Sequence, residues 1–107
     1  MITTLEKVKQ LEKYLAINNS TVDPVIETTI NKLLGREYER MVELKTRLTG
    51  ELAQFEKRYD LQSDHFYQRY EAGELGDDVD FIEWAATVEM LMNVNRRLEL
   101  LEAVNSQ

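Results

Sequence analysis

The 107-residue sequence has no cysteine, one proline, four glycines, one histidine and one tryptophan. Without cysteine there is no disulfide bond and no thiolate chemistry. Because proline and glycine are scarce, we expect much more helix than the third of residues that is usual in globular proteins. No apolar run approaches the roughly 20 residues that cross a bilayer, and residues 1–13 lack the continuous apolar core of a signal peptide. We therefore expect a cytoplasmic protein without a membrane span.

The single histidine, His65, offers little to catalysis or metal binding. Its neighbours Ser63 and Asp64 complete the residue types of a triad, but adjacent residues do not assemble one. The chain has no Glu-x-x-His, the motif of di-iron bundles, and residues 73–83 lack the alternation of a calcium-binding EF-hand. The acids beside the two glycines of AGELG would repel phosphate. We predict no catalytic residue, no cofactor and no metal site.

The net charge of −7 is distributed unevenly. Residues 1–59 carry ten bases and nine acids, whereas residues 60–107 carry three bases and eleven acids. This asymmetry indicates that one end of the molecule presents a negative field to a partner. Direct nucleic-acid binding is not expected, because the bases of residues 24–59 alternate with acids and Arg96–Arg97 is too small a patch.

Apolar residues recur at three- and four-residue steps along most of the chain, which predicts helices. We predict one helical domain, 1–107, with helices at about 4–16, 24–59, 63–72 and 78–104. The first helix should end within residues 17–21, where asparagine and serine favour local backbone hydrogen bonds over helix.

The second helix has the clearest start, because Asp23 can cap it and Pro24 suits the first helical position. Its apolar seam steps alternately by four and three through Leu34, Tyr38, Met41, Lys45, Leu48, Leu52, Phe55 and Tyr59. This heptad spacing has one charged interruption and is typical of a coiled coil. A continuous helix would be ~54 Å long. A break at Thr49–Gly50 is the alternative, and we prefer continuity because the seam keeps its phase across the glycine.

The third and fourth helices also carry end signals. Ser63 is a candidate N-cap of the third helix, and Gly73 fits the left-handed residue that ends it. Asp77 or Asp78 caps the fourth helix. The apolar face of that helix contains Phe81, Trp84, Ala85, Val88, Leu91, Met92, Asn95, Leu98 and Leu101.

These segments predict an all-α fold: an elongated antiparallel hairpin, or coiled coil, of two long helices plus two shorter ones. A hairpin buries each seam on one side only. Apolar surface would remain uncovered at residues such as Tyr14, Tyr38, Val42 and Met90. A symmetric homodimer would cover that surface, and a compact monomer is the alternative.

An acidic turn lies directly beside large aromatic residues between the third and fourth helices. The acids, which we call the acidic cluster, are Glu71, Glu74, Asp77, Asp78, Asp80 and Glu83. The neighbouring aromatics are Phe66, Tyr67, Tyr70, Phe81 and Trp84. One interpretation is a packed corner with solvated acids. The other is that Trp84, or Tyr67 with Tyr70, is partly exposed and forms a protein-binding hot spot with a charged rim.

The run SDHFYQRYEAGELGD, followed by DFIEWAATVEML, resembles a group of small helical proteins. They carry Phe-Tyr-x-Arg-Tyr/Phe-Glu-x-Gly-Glu-Leu-Gly-Asp and then Glu-Trp-Ala, and residues 69–86 follow this pattern closely. Some members are predicted antitoxins of type II toxin–antitoxin pairs in bacteria and archaea, with genes beside that of an RNase-like toxin. The resemblance implies a non-catalytic protein that neutralises a basic toxin encoded nearby. Many antitoxins also carry a DNA-binding domain, and none is found here.

In this interpretation the acidic cluster supplies an attractive field, because toxins that hold RNA phosphates are basic. Apolar anchors slow release of the partner. The predicted partner-binding residues are Tyr67, Tyr70, Glu71, Glu74, Asp77, Asp78, Asp80, Phe81, Glu83 and Trp84. The alternative function is a helical dimerisation or scaffold protein without an inhibitory role. An enzyme is disfavoured, because no nucleophile, general base or ligand set converges.

Overall fold

The computed structural model describes residues 1–17 and 23–105, which form four α-helices and no strand. The helices are α1 (Thr4–Ile17), α2 (Pro24–Tyr59), α3 (Ser63–Glu71) and α4 (Val79–Asn105). The all-α prediction is confirmed, and each helix end lies within one residue of the predicted position. Ile17 still belongs to α1, whereas residues 18–21 of the predicted helix end lie outside the described residues. α2 runs through Gly50 without a break.

Side-chain caps explain where α1 and α2 begin. Thr3 Oγ1 accepts a hydrogen bond from the N–H of Glu6 at 3.1 Å, and Asp23 Oδ1 accepts one from the N–H of Val25 at 2.8 Å. Each bond satisfies a first-turn donor that has no partner inside the helix. Pro24 follows Asp23 as the first residue of α2, where its missing N–H costs nothing.

Residues with positive φ end the helices α2 and α3. Gly73 follows α3 with φ of 75°. The N–H of Glu74 donates to the carbonyl of Arg69 at 3.0 Å, and that of Gly73 donates to the carbonyl of Tyr70 at 3.1 Å. This pair of bonds is a Schellman motif, as glycine at this position predicts. Asp60 follows α2 with φ of 50°, in a conformation that favours glycine.

The chain divides into two compact units, residues 1–34 and residues 35–107. The first contains α1 and the start of α2. No residue of α1 is buried, and Leu5, Val8 and Leu11 of its apolar face are all exposed. The single domain predicted from the sequence stays a prediction.

The second unit contains two clusters of buried apolar side chains, to which α2 and α4 both contribute. The aromatic cluster consists of Leu52, Phe66, Trp84, Ala85 and Val88. The aliphatic cluster consists of Met41, Leu48, Val94 and Leu98. The two long helices therefore pack together, and α3 adds Phe66 to the first cluster.

The α2 seam predicts this core well. Met41, Leu48 and Leu52 are buried, and Lys45 is exposed as the charged interruption suggested. Half-buried Leu44 packs against the aliphatic cluster beside that gap. Among the apolar residues expected to stay uncovered, Val42 and Met90 are exposed, whereas Tyr38 is half-buried against the same cluster.

None of the helices within residues 1–17 and 23–105 is both long and apolar enough to cross a membrane.

Candidate functional site

Trp84 occupies the centre of the aromatic cluster and has no exposed surface. Its indole stacks on Phe66 with ring centroids 3.8 Å apart and planes inclined by 4°. Phe55 and Tyr59 of α2 also stack on it, at 5.5 Å and 5.7 Å. A fully buried side chain cannot touch a partner, so the structure overturns the exposed-anchor role for Trp84. Its place is in the packed corner of the other interpretation.

The polar edge of the indole explains the position of Ser63. Trp84 Nε1 donates to Ser63 Oγ at 3.0 Å, which satisfies a buried donor. Ser63 is therefore not the N-cap of α3. Gln62 occupies that position without a side-chain hydrogen bond. The carboxylate of Glu56 supplies the missing acceptor by accepting the Ser63 N–H at 2.9 Å.

Phe81 and Tyr70 are half-buried and lie beside the buried Trp84–Phe66 pair. The Phe81 ring lies 5.3 Å from the ring of Tyr59 and 5.7 Å from that of Phe66. The Tyr70 ring lies 5.7 Å from the ring of Phe66. These two aromatics contribute mainly to the core and offer a partner only their outer edges.

Asp80 belongs to an internal network that the sequence did not suggest. Its Oδ2 accepts hydrogen bonds from the Tyr59 hydroxyl at 2.5 Å and from Arg58 Nη1 at 2.8 Å. The Tyr59 bond, followed by the Arg58 bond, lowers the pKa of Asp80. The Asp80 bond raises the pKa of both Tyr59 and Arg58. Asp80 therefore ties α4 to the end of α2, and its charge is largely compensated.

Asp78 and Glu74 also have partners within the chain. Asp78 is the N-cap of α4, because its Oδ1 accepts the N–H of Asp80 at 2.9 Å. Glu74 forms an ion pair with Arg69 at 3.5 Å, with both side chains more than half exposed. Asp78 is exposed although it caps the helix, whereas Arg69 offsets the charge of Glu74.

Asp77 and Glu83 are the members of the acidic cluster that present the least compensated charge. Both are exposed, and among the described residues neither side chain forms an ion pair. Glu71 is exposed too and lies near the end of α3. The structure therefore divides the cluster into acids that build the corner and acids that face solvent.

Tyr67 is half-buried and lies between two carboxylates. Its hydroxyl donates to Glu89 Oε1 at 2.9 Å. The Glu89 bond, desolvation and a further hydrogen bond with Glu71 together raise the pKa of Tyr67 to about 12. Glu89 brings another acid to this face of α3 and α4, 22 positions along the chain from Tyr67.

The sequence analysis did not predict four residues that form hydrogen bonds to the candidate site: Glu56, Arg58, Tyr59 and Glu89. Each bonds to a residue outside its own helix, and for Arg58, Tyr59 and Glu89 that residue is more than 20 positions away, where no spacing rule applies. Within residues 1–17 and 23–105, no three metal-ligating side chains form a group that could hold an ion. Every buried side-chain nitrogen or oxygen in the same residues has a hydrogen-bond partner.

Comparison of the chain with protein-family models, with curated proteins and with solved structures finds no match.

Proposed function

We propose that this chain is a cytoplasmic, non-catalytic protein-binding module, and specifically an antitoxin that neutralises a basic RNase-like toxin. The observation that carries the proposal is a group of four exposed acids, none of which forms an ion pair among the described residues: Glu71, Asp77, Asp78 and Glu83. A basic partner would be attracted by that field and held by close contacts once docked. The resemblance of residues 69–86 to predicted antitoxins supports the toxin as partner.

The binding surface that we propose is smaller than the set predicted from the sequence. Trp84 is excluded by burial, and Asp80 is engaged with Arg58 and Tyr59. The acids that remain for a partner are Glu71, Glu74, Asp77, Asp78 and Glu83. The aromatics that remain are Tyr67, Tyr70 and Phe81, through the parts of their rings that reach the surface.

The function is tested by co-expression with a small basic protein encoded by a neighbouring gene. The neighbour should arrest growth alone and permit growth together with this chain. A neighbour that stays toxic in the presence of the chain contradicts the antitoxin proposal.

The surface is tested by reversing charge at Asp77 and Glu83, which avoids the residues that build the corner. The Asp77→Lys/Glu83→Lys variant should bind the toxin more weakly, and the loss should shrink as salt rises. Glu39→Lys/Glu43→Lys on α2 is the matched control, because both residues are exposed and the change in net charge is the same. Equal loss in the two variants would show that only total charge matters.

A second candidate function is a homodimeric helical scaffold in which paired helices form an antiparallel coiled coil. The exposed apolar face of α1 favours it, because Leu5 is 62% exposed and Val8 is 54% exposed. Sedimentation equilibrium should find a dimer that becomes a monomer in Val8→Glu/Leu11→Glu. Lys13→Glu, on the opposite face of α1, should leave the dimer intact. A monomeric parent chain contradicts this candidate.

A further inference from the structure

An apolar groove of about 380 Å³ runs along α3 and α4 within the second unit. Leu52, Val88, Leu91 and Met92 form its floor, and Tyr67 forms one wall. Of its described lining residues, Asp64 alone is charged. Met92 is 54% exposed, so the floor is open to solvent. We call it the α3–α4 groove.

A second groove lies on the other side of α4 and differs in charge. It measures about 540 Å³, and Met90 contributes to its lining. Two arginines and two glutamates line it as well, Arg47, Arg58, Glu51 and Glu83. Because both signs are present, this groove shows no charge preference for a ligand.

The edge of the α3–α4 groove is acidic. The Tyr67 hydroxyl donates to Glu89, and Glu71 lies close enough to help raise the Tyr67 pKa, so two carboxylates lie beside the tyrosine that forms this wall. Asp64 adds a third acid one turn earlier on the same face of α3. No base is among the described residues that line the groove. An acid as the charged lining residue, with two further carboxylates beside Tyr67, favours a cationic occupant.

We infer that the α3–α4 groove binds the apolar face of a basic amphipathic helix belonging to the protein partner. This inference rests on the proposed function and supplies the anchor site that buried Trp84 cannot provide. Helices bind such grooves through apolar residues at i, i+3, i+4 and i+7, while their charged flanks meet the edge. The unbranched side chain of Met92 can adjust to the shape of the entering residues.

The test uses a fluorescein-labelled helical peptide of about 18 residues, or five turns, with leucines at that spacing and lysines elsewhere. Its binding to the full chain is followed by fluorescence anisotropy. Met92→Glu should weaken binding at least about tenfold, because it places a charge on the groove floor. Met90→Glu is the control, since Met90 is equally exposed at 54% and the added charge is identical. If only the added negative charge mattered, both variants would bind the lysine-rich peptide more tightly than the parent chain.

Two further measurements keep the test independent of the variants. A peptide with serine in place of leucine keeps the charge and should bind at least about tenfold more weakly. In the unmodified chain with methyl-labelled methionine, the leucine–lysine peptide should shift the Met92 resonance and leave those of Met90 and buried Met41 in place. The inference is wrong if the serine peptide binds equally well or if both variants lose binding equally. It is also wrong if only the Met90 resonance shifts.

Failure of the groove is distinguishable from failure of the proposed function. If the toxin is neutralised equally by the parent chain and by Met92→Glu, the antitoxin function stands and the groove is wrong. If the peptide binds at Met92 while the basic neighbour stays toxic, the groove stands and the antitoxin function is wrong.

Discussion

The indole of Trp84 and the ring of Phe66 lie 3.8 Å apart, centroid to centroid, with their planes only 4° from parallel. This contact joins α4 to α3, and the stacking of Phe55 on the same indole adds α2. Stacked aromatic pairs contribute about 0.5–1.5 kcal/mol beyond the area that they bury. The acidic cluster therefore lies beside an aromatic corner in which three helices meet.

The hydrogen bond from Trp84 to Ser63 should be needed for the stability of this corner. Ser63→Ala leaves the buried indole N–H without an acceptor, which costs about 1–3 kcal/mol of the free energy of unfolding. Urea unfolding followed by tryptophan fluorescence measures the loss. In a Trp84→Phe background the donor is absent, so the same serine change, followed by circular dichroism, should cost much less. Equal costs in the two backgrounds would show that the bond contributes nothing.

Asp78 and Asp77 are adjacent acids with different predicted roles. Asp78→Ala removes the N-cap of α4 and should lower the free energy of unfolding by about 1 kcal/mol, whereas Asp78→Asn should retain most of the cap. Asp77→Ala should change it by less than about 0.5 kcal/mol, as is usual for an exposed side chain. Urea unfolding of the three variants checks this. If Asp77→Ala lost more stability than Asp78→Ala, the assignment of the N-cap to Asp78 would be wrong.

The helix bounds could be predicted because their signals are local. Asp23 and Pro24 set the start of α2, and Gly73 sets the end of α3, through bonds to residues only a few positions away. The burial of the α2 seam followed from its period for the same reason. The caps could be placed only approximately, since Asp77 and Asp78 carry the same side chain and only the backbone geometry selects between them.

The candidate site was harder to predict because its contacts are distant in the sequence. Asp80 bonds to Arg58 and Tyr59, more than 20 positions earlier, and nothing in the spacing links them. An apolar face with Trp84 next to acids favours a buried corner and leaves an exposed anchor open as the alternative. Packing against Phe66 and Phe55 decides between these, and local spacing does not reveal contacts between residues so far apart in the chain.

Asp80 should make stability depend on acid pH. The Tyr59 and Arg58 bonds lower the pKa of Asp80 in the folded state. The stabilisation by the ionised carboxylate is therefore fully present above the unfolded pKa of about 3.9. That contribution is lost as pH falls through the lowered folded pKa. The parent chain should therefore have a higher Tm than Asp80→Asn at pH 6, and the difference should narrow below about pH 4. A constant difference across this range would contradict the network, and Asp77→Asn serves as the control.

Because of Tyr67, the chain should lose stability as pH rises in the alkaline range, whereas Asp80 causes a loss as pH falls. Its pKa is raised to about 12 in the folded state, chiefly by the Glu89 bond, whereas the unfolded value is about 10. The contribution is therefore present below about pH 10 and is lost as pH rises from there towards 12. Tyr67→Phe should show a smaller fall in Tm between pH 9 and 11 than the parent chain. Glu89→Gln should also reduce the fall, and a fall unchanged in both variants would contradict the assignment.

Asp60 offers a stabilising substitution, because it holds a positive φ of 50° at the end of α2. Glycine adopts this conformation without the steric cost that a side chain carries, which is about 1 kcal/mol or less for aspartate. Asp60→Gly should therefore raise the free energy of unfolding by up to about 1 kcal/mol in urea. Lys57→Gly, three residues earlier inside the exposed last turn of α2, is the matched control and should lower it by about 1 kcal/mol. If both glycines destabilise the chain equally, the left-handed conformation of Asp60 does not limit stability.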